Sequence, residues 1–115
     1  MLRGEIRLVD LEPVRGSEAD TRRPAVVVSN DGANSAAAQL GRGVITVVPV
    51  TSATAHVYPF QVLLRAADSG LRHDSKAQAE QVRAVSVERL GAKVGMLQPP
   101  LMAELDEALR LQLGL

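Results

Sequence analysis

The chain has 115 residues, 46% of them hydrophobic, and its 13 basic and 13 acidic residues cancel, which gives no global field to draw in nucleic acid. The length suits one domain, residues 1–115, with a real core and no room for a separate cofactor-binding domain. The lack of cysteine excludes a disulfide scaffold, thiolate catalysis and cysteine-based zinc, and the charged first ten residues read as neither signal peptide nor membrane span, so a cytoplasmic protein is expected.

Glu5 to Leu11 alternates as a first strand, with Ile6, Leu8 and Asp10 on one side. Pro13 to Pro24 is rich in charge, Gly and Ser and reads as a long exposed loop, in which Arg15, Arg22 and Arg23 stand beside only Glu18 and Asp20. Ala25–Ser29 and Gly43–Val50 are short, unbroken β-branched runs, hence buried strands. Between them Ala33–Leu40 is Ala-rich and forms a short helix after an Asn or Asp cap.

Phe60 to Ala66 reads as a further strand, with Gly70 as a turn. Lys76 to Val87 forms two strands or one bent strand, and Arg89 to Lys93 a loop or short helical turn before Val94–Leu97. Pro99 and Pro100 open a terminal helix whose apolar positions Leu101, Met102, Leu105, Ala108, Leu109 and Leu113 follow helical spacing, with Glu104, Glu107 and Arg110 facing water. Many short strands with one terminal helix predict a mainly β, α+β fold built on a small, strongly bent sheet or barrel. With one Tyr, one Phe and no Trp, the core must come from Val, Leu, Ile and Ala, which favours burying further surface by association.

The chemistry concentrates at two strand ends. A polar loop ending in Arg-Arg-Pro runs into one apolar strand, and a second ends in Pro-Val-Thr-Ser, so Arg23 and Thr51 can meet in the layout of a phosphate-handling site. Each residue also has a plainer role open to it: a solvated loop charge for Arg23, a side-chain-to-backbone turn for Thr51. All basic residues except Lys76 and Lys93 are arginines, which suits bidentate phosphate contacts and also fits a GC-rich codon bias. His56 and His73 could divide acid–base work, but neither falls in a motif, and His73 with Asp74 has no second histidine at helical spacing to make a metal site.

The ordered set GEI, GSE, RRPAVVVSN, VPVTS, YPF and EQVR resembles the MazF/PemK family of toxin endoribonucleases over nearly the whole chain. That resemblance implies an SH3-like β-barrel with a C-terminal helix, in a homodimer. It implies metal-independent, sequence-specific cleavage of single-stranded RNA by 2′-OH attack on the adjacent phosphate, with no cofactor, and inhibition by a MazE-like antitoxin. It places Arg23 and Thr51 as the catalytic pair and Glu18 as the candidate base or 2′-OH orienter, with Ser17 beside it to bind phosphate. Arg23 is fixed in its charge, so electrostatic stabilisation is its role and the base stays open.

Gln81 matches an RNA-contacting position and can read a base edge. His56 lies just before the YPF triplet, where it can touch RNA. Many relatives carry Trp or Tyr where this chain has Arg7, which leaves Tyr58 and Phe60 as its aromatic platforms, Phe60 also being a candidate for the core, with Arg7 or Arg15 able to stack instead. Toxins of the same fold that bind DNA gyrase without cutting RNA are the alternative; they need no Arg23–Thr51 pair and depend on the end of the terminal helix, which here is apolar and reads as packing.

Overall fold

The two valine-rich runs lie side by side in antiparallel register, Ala25 opposite Pro49, Val26 opposite Val48 and Val27 opposite Val47. In the computed structural model, which describes residues 1–11 and 22–115, they belong to β2 (Arg22–Val27) and β3 (Val44–Thr51). The other described strands are β1 (Glu5–Asp10), β4 (Gln61–Leu64), β5 (Ser75–Gln78), β6 (Arg83–Ser86) and β7 (Leu90–Met96). Among the described residues there are three α-helices, α1 (Asp31–Leu40), α2 (Ala66–Ser69) and α3 (Pro99–Leu113). The sheet order is β4-β5-β3-β2-β1-β7, with β6 also on β3. No described pairing joins β4 to β7, so the sheet is not closed into a barrel, and it stays within the expected α+β class.

Successive side chains of a strand point to opposite faces, so unbroken apolar runs require cover on both. Ile6, Val26, Val48, Val50 and Leu64 form one core, closed by Leu105 and Ala108 of α3. Val9, Ala25, Val27, Ile45 and Val47 form the other, closed by Ala37 of α1 and Val85 of β6. Both cores are aliphatic, as the composition requires. The Asn30 side chain caps α1 by accepting from the Ala33 N–H at 2.8 Å. Buried Asn34 fastens that helix to the sheet by donating to the Ser29 carbonyl at 2.8 Å, while the Ser29 hydroxyl accepts from the Thr46 N–H at 3.0 Å.

Several expected boundaries move. Arg22, Arg23 and Pro24 are not loop but strand, because Asp10, Val9 and Leu8 of β1 pair with them. Asp10 and Leu8 do share a side with Ile6, but Val9 on the other side is equally buried, so β1 is two-faced and not amphipathic. The strand expected over 60–66 shortens to β4, and Ala66 opens the helical turn α2. The stretch over 76–87 is two strands, β5 and β6, separated by a 3-10 turn at Ala79–Gln81. Of the loop or short helical turn expected at Arg89–Lys93, Arg89 ends a 3-10 turn at Val87–Arg89, while Leu90–Lys93 is the start of β7, held by Leu90 opposite Val9 and Lys93 opposite Arg7. Irregular register on either side of Arg7 bends this pair, as β-bulges do. On α3 the expected apolar face holds at Leu105 and Ala108, but Leu113 is 54% exposed.

Two close fits hold the bent end. A Cβ on Gly95 would lie 2.1 Å from the Ser69 carbonyl oxygen, so α2 sits directly on β7 where only glycine fits. Gly95→Ala is expected to destabilise by about 3 kcal/mol, at the upper end of overpacking costs, read as a fall in the urea midpoint.

Buried Glu5 is the second. Its carboxylate accepts from Arg7 Nη1 at 3.0 Å and from the Leu2 N–H at 2.9 Å, and Arg7 Nε donates to the Gly91 carbonyl at 3.0 Å, tying β1 to β7. Burial pushes the Glu5 pKa up, but these hydrogen bonds and the neighbouring positive charges outweigh it and leave it below its ordinary 4.5. A carboxyl with a lowered folded pKa contributes stability above its unfolded pKa and loses it as pH falls through the folded one. Arg7→Ala is therefore expected to cost about 2 kcal/mol at neutral pH, and the gap in melting temperature from the parent should close as pH drops below 4.5.

Candidate active site

Arg23 is placed by backbone and not by loop geometry: it pairs with Val9 in β2, and its side chain is exposed. The β2–β3 ladder ends at the Ala25–Pro49 pair, and Arg23 and Thr51 lie two residues beyond it, one on each strand. Both line one groove of about 870 Å³, so the structure brings together the two residues that the sequence pairs. Among the described residues, none bonds or ion-pairs with the Arg23 guanidinium, which leaves its five donors for a ligand.

Thr51 ends β3, where its Oγ1 accepts from the Ala53 N–H at 3.2 Å. The turn-forming role and a ligand-binding one are therefore compatible, since the hydroxyl keeps its proton to donate. Ser52 lines the groove next to it.

The facing wall was not legible as part of a site. It carries Arg72 and His73 from the β4–β5 connection, with Ser75 and Gln78 of β5. The left-handed backbone of Gly70, φ 83°, ends α2 and turns the chain back. Asp74 then anchors the turn by accepting from the Ala66 N–H at 2.8 Å, and the Ser75 hydroxyl donates to the His73 carbonyl at 2.9 Å. Leu8, Leu71 and Val94 add apolar lining to the groove. The groove thus presents two exposed arginines, Arg23 and Arg72, and an imidazole beside hydroxyl donors, a set suited to an anion with several oxygens.

The remaining expected site residues fall elsewhere. Arg15, Ser17 and Glu18 lie outside the described residues. Gln81, expected within a strand, is exposed in the 3-10 turn and is not part of the groove lining, whereas Gln78 is. His56 and Tyr58 are exposed in the β3–β4 connection. Among the described residues, no group of three His, Cys, Asp or Glu side chains could hold a metal ion, and no helix is long and apolar enough to cross a membrane.

A bent antiparallel sheet with a terminal helix, opening a cationic groove where two strands end, defines a small α+β protein equipped to hold a phosphate-bearing ligand. The sequence profile described as "PemK-like, MazF-like toxin of type II toxin-antitoxin system" matches residues 2–113, and the chain belongs to this family. It is 63% identical to Endoribonuclease MazF9 of Mycobacterium tuberculosis over 100% of this chain and 98% of the relative. It is 32% identical to Endoribonuclease EndoA of Bacillus subtilis over 98% of this chain and 94% of the relative. A solved MazE-MazF structure from Deinococcus radiodurans aligns over 100% of this chain and 96% of that one, with a TM-score of 0.75 and 25% identity.

Proposed function

We propose that the chain is the toxin of a type II pair and cuts single-stranded RNA in the cytoplasm, without metal, by attack of a ribose 2′-OH on the adjacent phosphate, thereby inhibiting translation. The observation that carries this reading is the convergence of Arg23 and Thr51, from two strand ends, on one groove. The endoribonuclease names of the relatives from M. tuberculosis and B. subtilis support it.

In this reading the 2′-oxygen forms a bond to phosphorus while the bond from phosphorus to the leaving 5′-oxygen breaks. The products are a 2′,3′-cyclic phosphate and a 5′-hydroxyl. Negative charge grows on the non-bridging oxygens as the phosphorus becomes five-coordinate, and Arg23, a fixed cation with forked donors, stabilises it. The Thr51 hydroxyl donates a further hydrogen bond to the same oxygens. Glu18, on the family resemblance, takes the proton from the 2′-OH, and the leaving 5′-oxygen takes up a proton from solvent water. Arg72, on the facing wall, holds a neighbouring phosphate and keeps the strand in line for attack.

The toxin acts as a homodimer and is held inactive by a MazE-like antitoxin. The exposed apolar residues at the end of α3, Leu111, Leu113 and Leu115, offer surface for such association. That end does not pack within this chain, contrary to the expectation from its composition.

Incubation in EDTA with a long unstructured RNA tests the reading. Discrete cuts are expected, and Arg23→Ala should reduce their rate at least about a hundredfold, as loss of an oxyanion-stabilising donor does. Cuts of undiminished rate in Arg23→Ala would overturn the assignment. Arg72→Ala should instead weaken binding and reduce the slope of log affinity against log salt by about 0.7, the value for one phosphate contact on a single strand.

A further inference from the structure

We propose that His73 is the proton donor of the cut: its imidazolium recharges the water from which the leaving 5′-oxygen takes its proton. The inference rests on the RNA-cleaving reading and adds to it the group that eases departure of the 5′-oxygen. That reading gives charge stabilisation to Arg23 and Thr51 and the 2′-OH proton to Glu18, and leaves the departing oxygen with solvent alone. A ribose 5′-alkoxide is a strong base and a poor leaving group, so a positioned donor at this point is worth about 10²–10⁴ in rate.

The groove offers few side chains for this task. Its polar lining, among the described residues, is three hydroxyls, the Gln78 amide, the two arginines and His73. A guanidinium keeps its protons at any ordinary pH, and an amide or a hydroxyl is too weak an acid to give one up, whereas an imidazole both releases and regains a proton near neutrality. His73 is thus the one described lining residue that can turn a proton over. The chain's other histidine, His56, is not part of the lining, so the structure separates two imidazoles that the sequence could not rank.

Its place in the fold suits the direction of departure. In an in-line displacement the leaving oxygen lies on the axis of attack, away from the equatorial oxygens that carry the growing charge. Arg23 and Thr51 come to the groove from the ends of β2 and β3, whereas His73 comes from the β4–β5 connection. The backbone there is held on both sides of the residue. The Ser75 hydroxyl donates to the His73 carbonyl at 2.9 Å, and the Ser69 hydroxyl ties the start of the turn by accepting from the Leu71 N–H at 3.3 Å and donating to the Arg65 carbonyl at 2.9 Å. The ring itself is exposed, enters neither core and bonds to none of the described residues, which leaves both nitrogens for water and substrate.

As the bond from phosphorus to the 5′-oxygen breaks, one water gives a proton to the departing oxygen and takes one from the imidazolium, so the product leaves as a neutral 5′-hydroxyl. His73 then regains a proton from solvent, and Glu18 releases to solvent the one it took from the 2′-OH. Both groups return to their starting state with no other reactant consumed.

The test uses two RNA strands that span the mapped cut and differ in one atom, oxygen or sulfur at the bridging 5′ position. A thiolate is a far weaker base than an alkoxide and departs without a proton. His73→Ala should lower kcat on the oxygen strand at least about a hundredfold and on the sulfur strand less than about threefold, with KM and melting temperature close to the parent's. His73→Gln, which keeps a hydrogen-bonding side chain but not the acid, should match His73→Ala on both strands, and it carries the comparison if the alanine variant does not fold. Equal losses on the two strands would overturn the proposal by reducing His73 to a positioning role, as would an undiminished rate on the oxygen strand; either result leaves the RNA-cleaving reading standing. A parent that cuts neither strand would overturn that reading and the proton donor with it.

Discussion

The structure depends on the register between β2 and β3. Because successive side chains alternate, a slip of one residue would turn Val26 and Val48 out of the core under α3 and drive Ala25 and Val27 into it. Both faces of these strands are buried, so both cores oppose such a slip. Beyond the last pair of that register, Ala25 with Pro49, the two strands run on to Arg23 and Thr51, which line one groove. The hydrophobic effect thus fixes the two strands whose ends carry exposed Arg23 and half-buried Thr51.

The facing wall is set by a different constraint. It hangs from α2, which rests on β7 through the contact between Ser69 and Gly95. From there the chain turns at Gly70 and presents Arg72 and His73 to the groove, pinned by the Asp74 carboxylate. One wall of the site is thus ladder and the other a turn clamped on glycine. On the proposed reading, a strand between them would meet Arg23 from the ladder and Arg72 from the turn.

Local rules read well in the sequence where they suffice. The valine runs, the Asn30 cap of α1 and the helical face around Leu105 all follow from periodicity and capping chemistry. What was misread depends on partners distant in sequence. Arg22–Pro24 reads as loop by composition and becomes strand because β1 is there to pair with it. Leu90–Lys93 has little β-branched character and is strand for the same reason. Arg72 and His73 carry no motif, and their arrival in the groove follows from the β4–β5 connection folding back. Gln81 was placed by a motif match, and the 3-10 turn moves it out of the groove lining, where Gln78 stands instead. The motif set carried the family, and with it the Arg23–Thr51 pairing; the second wall needed coordinates.

The central claim is that a ribose hydroxyl, and not water, is the nucleophile at the phosphate held by Arg23 and Thr51. The most direct measurement places a single 2′-deoxynucleotide immediately 5′ to the mapped cut and analyses the ends of the products from the unmodified strand. The modified strand should stay intact at that position, and the unmodified one should yield a 2′,3′-cyclic phosphate and a 5′-hydroxyl. Cleavage at the deoxy position, or products bearing a 5′-phosphate, would contradict it.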